Sequence, residues 1–167
     1  MAKNKYIFVD LDETLIHCNL WIDEIREGES VITLDFPAKG EEYRALLRPG
    51  ALDLLAELRK IAPCYILTAS VQDYARAWNE KFNLGFENKD IYSREHIGNR
   101  HIDVSKFTDP AAYLIDNLPR QENRGKIQFL KMLDLFPKYY NIKAYHGFKK
   151  CDLKPKDIQH VINFVSE

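Results

Sequence analysis

The sequence predicts an α/β protein with a three-layer, Rossmann-like, open and mainly parallel sheet, a small β-hairpin flap and no large cap. Three observations carry that prediction. Short apolar runs alternate with amphipathic helical stretches, as in parallel sheets built from crossover units. Several of those runs stop abruptly at acidic or hydroxyl residues. One segment breaks the alternation with two strand-like stretches around a turn.

Tyr6-Ile7-Phe8-Val9 is a buried first strand that ends where Asp10-Leu11-Asp12-Glu13-Thr14 begins. Residues 17–47 do not suit an ordinary crossover. Residues 30–36 and 42–47 read as two strands, and Pro37-Ala38-Lys39-Gly40-Glu41 between them has turn composition, which predicts a hairpin flap. Arg48-Pro49-Gly50 punctuates the chain. Leucines at 52, 54, 55 and 58 then give residues 51–59 a broad apolar helical face.

Cys64-Tyr65-Ile66-Leu67 is a second buried strand ending at Thr68-Ala69-Ser70, and residues 71–83 form a helix with Tyr74, Ala75, Trp78 and Phe82 on its core face. Strands are expected at 90–93, at 111–115 and at 140–145, and helices at 126–136 and 156–165. Pro155 suits the first position of the last helix. No repeat, low-complexity tract or long linker divides the chain, so residues 1–167 are expected to form one domain with 17–47 as a flap insertion.

Composition excludes several classes. With 46% hydrophobic and 29% charged residues in 167, the chain suits a globular domain with a substantial core. A formal net charge of -1 gives no global attraction to nucleic acid. No apolar run approaches the roughly 20 residues that cross a bilayer, so no membrane partner is expected. The N-terminus reaches acidic residues too early for a signal sequence. Cys18, Cys64 and Cys151 are widely spaced and odd in number, which suits reduced thiols of an intracellular, cytoplasmic protein, with Cys64 in the core.

The strand ends carry the chemistry. Side chains at Asp10 and Asp12 of an extended backbone point the same way, roughly 6 to 7 Å apart. Such a pair calls for a hard cation such as magnesium, although alone it also suits a loop or a cap. Parallel strands bring Asp10, Asp12 and Thr14, then Thr68, Ala69 and Ser70, then Asp116 and Asn117 to one sheet edge. Ligands bind at that edge in open α/β sheets. Hydroxyls and exposed amides there would hold an anion, and the three carboxylates a metal.

At this point the sequence resembles the haloacid-dehalogenase (HAD) superfamily of aspartate-nucleophile phosphatases, and within it the capless branch of small C-terminal-domain and FCP-type phosphatases. Asp10-Leu11-Asp12-Glu13-Thr14-Leu15 matches the first motif, Thr68-Ala69-Ser70 the second, and Leu114-Ile115-Asp116-Asn117-Leu118-Pro119 resembles the fourth. Arg48-Pro49-Gly50 and Arg94-Glu95 are similar to segments of that branch. The resemblance implies that Asp10 attacks phosphorus to form an aspartyl-phosphate. It implies that Asp12 protonates the leaving alcohol and later activates water, while its main-chain carbonyl touches Mg²⁺. Asp116 completes the protein's ligands to the metal beside Asp10, with Asn117 a direct or water-mediated supporter. Thr68, Ala69 and neighbouring amides would bind the phosphoryl oxygens. Thr14 is expected to fix the turn after Asp12 by local hydrogen bonding.

The third motif departs from the pattern. The lysine expected there falls near Ile102, in Ile102-Asp103-Val104-Ser105-Lys106-Phe107. Lys106 is the preferred catalytic cation and Arg100 the alternative, as a phosphate binder. The five histidines show no metal-site spacing. A short flap implies an open site and a bulky substrate, a phosphorylated serine or threonine of a protein. A nucleotide or nucleic-acid end is the competing substrate, weakly supported by the tract around Lys138, Lys143, Lys149 and Lys150. A phosphate-binding scaffold without turnover is the non-enzymatic alternative. Trp21, Phe36 and Tyr43 are candidates to line the entrance.

Overall fold

The computed structural model describes residues 5–18, 29–36, 39–97, 110–118, 136, 138–147 and 151–167. In chain order the elements are β1 (Tyr6–Val9), β2 (Ile16–Cys18), β3 (Glu29–Phe36), β4 (Lys39–Leu47), α1 (Ala51–Ile61), β5 (Cys64–Leu67), α2 (Gln72–Lys81), a 3-10 turn at Asn88–Asp90, β6 (Ile91–Tyr92), α3 (Arg94–Ile97), β7 (Ala112–Asp116), β8 (Lys138–Asn141) and α4 (Pro155–Val165).

Five strands form a parallel sheet in the order β6-β5-β1-β7-β8. The expected α/β architecture is the observed one. β1 lies at the centre because its four residues are apolar and its two neighbours cover both edges. Val9 pairs with Ile66 on one side and with Ile115 on the other. Side chains alternate between the two faces, as pleating requires. Ile7, Val9, Cys64, Ile66, Tyr113 and Ile115 face a core shared with Leu54, Leu55 and Leu58 of α1, Trp78 of α2 and Val161 and Val165 of α4. Phe8, Leu67, Ala112 and Leu114 face the other way, onto Phe136. The helix expected at 126–136 lies outside the described residues, apart from buried Phe136.

The flap is a three-stranded antiparallel sheet in the order β2-β4-β3. The expected hairpin is present with a shorter turn. Phe36 pairs with Lys39, so residues 39–41 belong to β4 and not to the turn. β2 adds a third strand, pairing Ile16 with Leu47. The strand expected at 140–145 is displaced towards the N-terminus. Lys138 pairs with Tyr113 and Asn141 with Asp116, while residues 142–146 carry no regular structure.

Gly50 has φ 90°, and a Cβ there would meet the Leu153 carbonyl oxygen at 2.2 Å. With the Leu153 amide bonded to the Pro49 carbonyl (2.9 Å), Arg48-Pro49-Gly50 locks the entry to α1 against the segment before α4. Among the described residues all three cysteines are free, and no helix is long and apolar enough to cross a membrane.

Candidate active site

β1 ends at Asp10, and its neighbours end beside it. The Asp10 amide donates to the Ile115 carbonyl (3.0 Å), which extends the β1–β7 ladder by one bond and sets Asp116 next to Asp10. The chain then turns sharply. The amides of Thr14, Leu15 and Ile16 all donate to the Leu11 carbonyl, and Glu13 takes φ 63°. This turn folds the Thr14 hydroxyl back onto Asp10 Oδ2 (3.1 Å). Thr14 thus fixes the turn as expected, and it also holds the first carboxylate directly.

Asn117 follows Asp116 off β7. With its carboxamide nitrogen turned towards the surrounding acceptors, it donates to Asp10 Oδ2 at 2.9 Å and to the Asp12 carbonyl at 3.1 Å. Asp116 is buried, and its Oδ1 accepts the Leu118 amide at 2.8 Å, which closes the turn after β7. At the end of β5, Thr68 is buried. Its hydroxyl lies 2.7 Å from the Ser70 hydroxyl and accepts the Ser70 amide at 3.2 Å. Arg94 Nε donates to the Ala69 carbonyl at 2.8 Å, and the Arg94 amide to that of Ser70 at 2.9 Å. The turn that would receive a phosphoryl group is therefore braced from the neighbouring strand end.

Burial raises the Asp10 carboxyl well above its ordinary range, and the negative charges of Asp116 and Asp12 raise it further. Burial also pushes Asp12 up to about 6, against the hydrogen bond from Tyr74, which pulls it down. The Tyr74 hydroxyl donates to Asp12 Oδ1 at 2.7 Å. Two carboxylates crowded at a strand edge, with the Asp12 carbonyl beside them, form a donor set made only of hard oxygens. That set fits Mg²⁺, which prefers oxygen ligands and would relieve the repulsion that raises Asp10.

The structure thus brings together Asp10, Asp12, Thr68, Ala69, Asp116 and Asn117 at one sheet edge. Lys106 and Arg100 lie outside the described residues. Two contributors were not assigned to the site from the sequence. Tyr74 was placed on a core face, where its ring does pack on Trp78, but its hydroxyl reaches Asp12. A tyrosine in place of phenylalanine is the only sign of this in the sequence. Arg48 is 1% exposed and donates from Nε to the Cys151 carbonyl (2.8 Å) and from Nη1 to the Thr14 carbonyl (3.1 Å). It anchors the first-motif turn from behind. The histidines show no metal-site spacing along the chain, yet the fold brings His17 and His146, far apart in sequence, both onto Glu13. His96, by contrast, accepts the Ser93 amide at 3.1 Å and has a local role. Lys138, from the basic tract, donates to the Tyr113 hydroxyl at 2.7 Å and stacks on that ring.

A family model described as NLI interacting factor-like phosphatase matches residues 5–138. No curated protein matches the chain. Among solved structures, Fcp1, described as an essential RNA polymerase II CTD phosphatase, superposes with a TM-score of 0.64 at 18% identity, covering 98% of this chain and 48% of that one. A variant of the fission yeast RNA polymerase II CTD phosphatase Fcp1, bound to beryllium fluoride, gives 0.59 at 14% identity, covering 98% and 50%. This chain spans about half the length of either structure, and at such identities the likeness shows the fold. The family match is of another kind, because it runs through the first, second and fourth motifs. The chain belongs to the NLI interacting factor-like phosphatase family, within the HAD-type phosphatases.

Proposed function

We propose that this protein hydrolyses phosphomonoesters through an aspartyl-phosphate on Asp10, with Mg²⁺ as cofactor and a phosphoserine or phosphothreonine of a protein as substrate. The observation that carries the reading is the Asp10–Asp12 pair. The two carboxyls share a buried edge but not their partners: Thr14 holds Asp10, which burial and neighbouring charges raise well above its ordinary range, and Tyr74 holds Asp12, raised to about 6. Separate partners allow separate roles: a bound Mg²⁺ would return Asp10 to the ionised form a nucleophile needs, beside Asp12 as the acid–base group.

In this reading Asp10 Oδ attacks phosphorus in line with the leaving oxygen. Thr14 and Asn117 fix the carboxylate so that little orientation is lost on attack. Asp12, raised to about 6 so that part of it keeps a proton just below neutral pH, gives that proton to the departing alkoxide. It then takes a proton from the water that opens the acyl phosphate. The Thr68 hydroxyl and the Ala69 amide hold the phosphoryl oxygens, and Lys106 or Arg100 supplies the third-motif cation. Mg²⁺, held by Asp10, Asp116 and the Asp12 carbonyl with support from Asn117, would neutralise charge between carboxylate and phosphate. The whole domain, residues 1–167, would carry the reaction, with 17–47 as its flap. The free cysteines support an intracellular setting.

The phosphoprotein assignment is supported by the two structural relatives, both described as RNA polymerase II CTD phosphatases, and by the flap, which among the described residues is a small three-stranded sheet. Lys138 is engaged with Tyr113, which weakens the nucleic-acid reading. The test is a panel of phosphopeptides, nucleotides and DNA-end phosphates with Mg²⁺, run on the wild type and on Asp10→Asn. Turnover of phosphopeptides, lost in the variant, is the expected result. Full activity in Asp10→Asn sinks the nucleophile. A preference for nucleotides or DNA ends sinks the substrate class, and hydrolysis of no ester favours the scaffold. Beryllium fluoride, a mimic of a phosphoryl group on a carboxylate, should bind the wild type with Mg²⁺ and not the variant.

A further inference from the structure

Glu13 sits in the middle of the first motif, yet the proposed hydrolysis leaves its side chain unused. Its backbone is pinned on both sides. The Glu13 amide donates to the Ile16 carbonyl (2.8 Å), and its carbonyl accepts the Tyr145 amide (2.7 Å). The second bond draws the segment after β8 against the turn after β1, and so delivers His146. Glu13 Oε2 then lies 2.9 Å from His17 Nδ1 and 3.0 Å from His146 Nδ1. The three ligand atoms all lie within 4.8 Å of one another. The two imidazole rings stand nearly perpendicular, 83° apart, with centroids separated by 5.9 Å.

We propose that Glu13, His17 and His146 form a second cation site, separate from the Mg²⁺ pocket, that takes a borderline transition-metal ion of the Zn²⁺ class. The chemistry of the set is selective. Two imidazole nitrogens and one carboxylate oxygen suit Zn²⁺, whereas Mg²⁺ favours oxygen donors alone. The spacing also fits. Zinc–ligand bonds of about 2.0 to 2.2 Å in a tetrahedron separate neighbouring ligand atoms by about 3.3 Å. The Glu13–His contacts are a few tenths of an ångström shorter, so a small outward movement admits the ion. Three protein ligands leave the fourth position to water. Access is available because the His146 side chain is 56% exposed, while those of His17 and Glu13 are 15% and 27% exposed. The ion enters from the His146 side. Once bound, it ties the segment after β8 to the first-motif turn, immediately beside Asp12.

The full chain, stripped of transition metals and saturated with Mg²⁺, is titrated with Zn²⁺ by calorimetry and with Co²⁺ by visible absorption. The wild type should bind one ion per chain in excess of Mg²⁺, and Co²⁺ should show the intense bands of a tetrahedral site. His146→Ala should weaken Zn²⁺ binding by on the order of tenfold or more, since loss of outer partners of metal ligands alone reaches that size. The same variant should abolish the Co²⁺ bands. Circular dichroism checks that it is folded, and without zinc it should keep its Mg²⁺-dependent activity. Asp116→Asn, which alters the Mg²⁺ pocket, should leave Zn²⁺ binding in place. Three results overturn the proposal. Failure to bind Zn²⁺ in the presence of Mg²⁺ leaves a hydrogen-bonded cluster only. Unchanged binding in His146→Ala, or loss of binding in Asp116→Asn, puts the ion elsewhere.

Discussion

As the proposed nucleophile, Asp10 would have to be two things that oppose each other. A nucleophile must be ionised, but burial together with the charges of Asp116 and Asp12 works against ionisation. The fold accepts this cost by surrounding the carboxylate with donors, the Thr14 hydroxyl and the Asn117 amide. Removing the charge should therefore help the fold as it destroys the chemistry. Asp10→Asn is expected to lose turnover while the metal-free protein gains on the order of 1 kcal/mol, because a buried carboxylate has been replaced by a neutral amide of the same shape. Urea melts of the two proteins without Mg²⁺ check this, and a less stable variant would show that the donors already outweigh the repulsion. In the proposed reaction Tyr74 would act one step further from phosphorus. Its hydroxyl orients Asp12 through a 2.7 Å bond, and its ring packs at right angles to that of Tyr43 on the flap. Tyr74→Phe keeps the ring packing and removes the hydroxyl, which besides Asp12 also meets the Cys18 thiol. We expect kcat to fall roughly tenfold, equivalent to about 1.4 kcal/mol, with little change in KM. Steady-state kinetics on an aryl phosphate separate the two parameters, and a rise in KM alone would assign Tyr74 to substrate binding.

At the scale of elements, the site is a set of strand ends, and strand ends were the easiest features to read. β1 and β5 are apolar runs stopped by polar residues, and their limits in the sequence are those in the structure. β8 was misplaced because its pattern has two claimants. Tyr140 and Ile142 look like a strand face, but the Ile142 amide makes the last bond to β7, at the Asp116 carbonyl, and the Tyr145 amide bonds instead to the Glu13 carbonyl. The ladder instead takes in Lys138, whose ammonium group lies over the Tyr113 ring. Local alternation could not reveal that partnership. The Arg48-Pro49-Gly50 corner was legible as punctuation but not as a brace. Its glycine is required by φ 90° and by the Leu153 carbonyl, while Arg48 reaches through to the Thr14 carbonyl. Gly50→Ala should destabilise the protein by about 2 kcal/mol or more, from backbone strain and displacement of the segment before α4. Chemical denaturation measures the loss. A near-neutral result would mean that the 151–154 segment can move away at little cost.

For the molecule as a whole, the residues that could be found from sequence are those whose chemistry is announced by type and position: Asp10, Asp12, Thr68, Asp116 and Asn117. Those that could not be found act through contacts between distant segments, as Tyr74 does across 62 positions and Arg48 across 34. With Mg²⁺ as the proposed cofactor, the same convergence would make metal binding and folding one equilibrium. Asp10 comes from β1 and Asp116 from β7, so the proposed Mg²⁺ ligands would be adjacent only when the central parallel ladder is formed. An ion that binds the folded chain and not the unfolded one adds stability that rises with the logarithm of its concentration, about 2.7 kcal/mol at a hundredfold excess over Kd. For a chain of 167 residues that corresponds to a rise in Tm of about 5 to 10 °C. Thermal melts over a Mg²⁺ series should show this slope in the wild type and lose it in Asp116→Asn. The variant is informative even without an activity assay, because the bond from the Leu118 amide to Asp116 Oδ1 can be kept by an asparagine oxygen. A Mg²⁺ response that survived in Asp116→Asn would place the ion away from the β1–β7 edge, and the pairing of Asp10 with Asp116 as ligands would then be wrong.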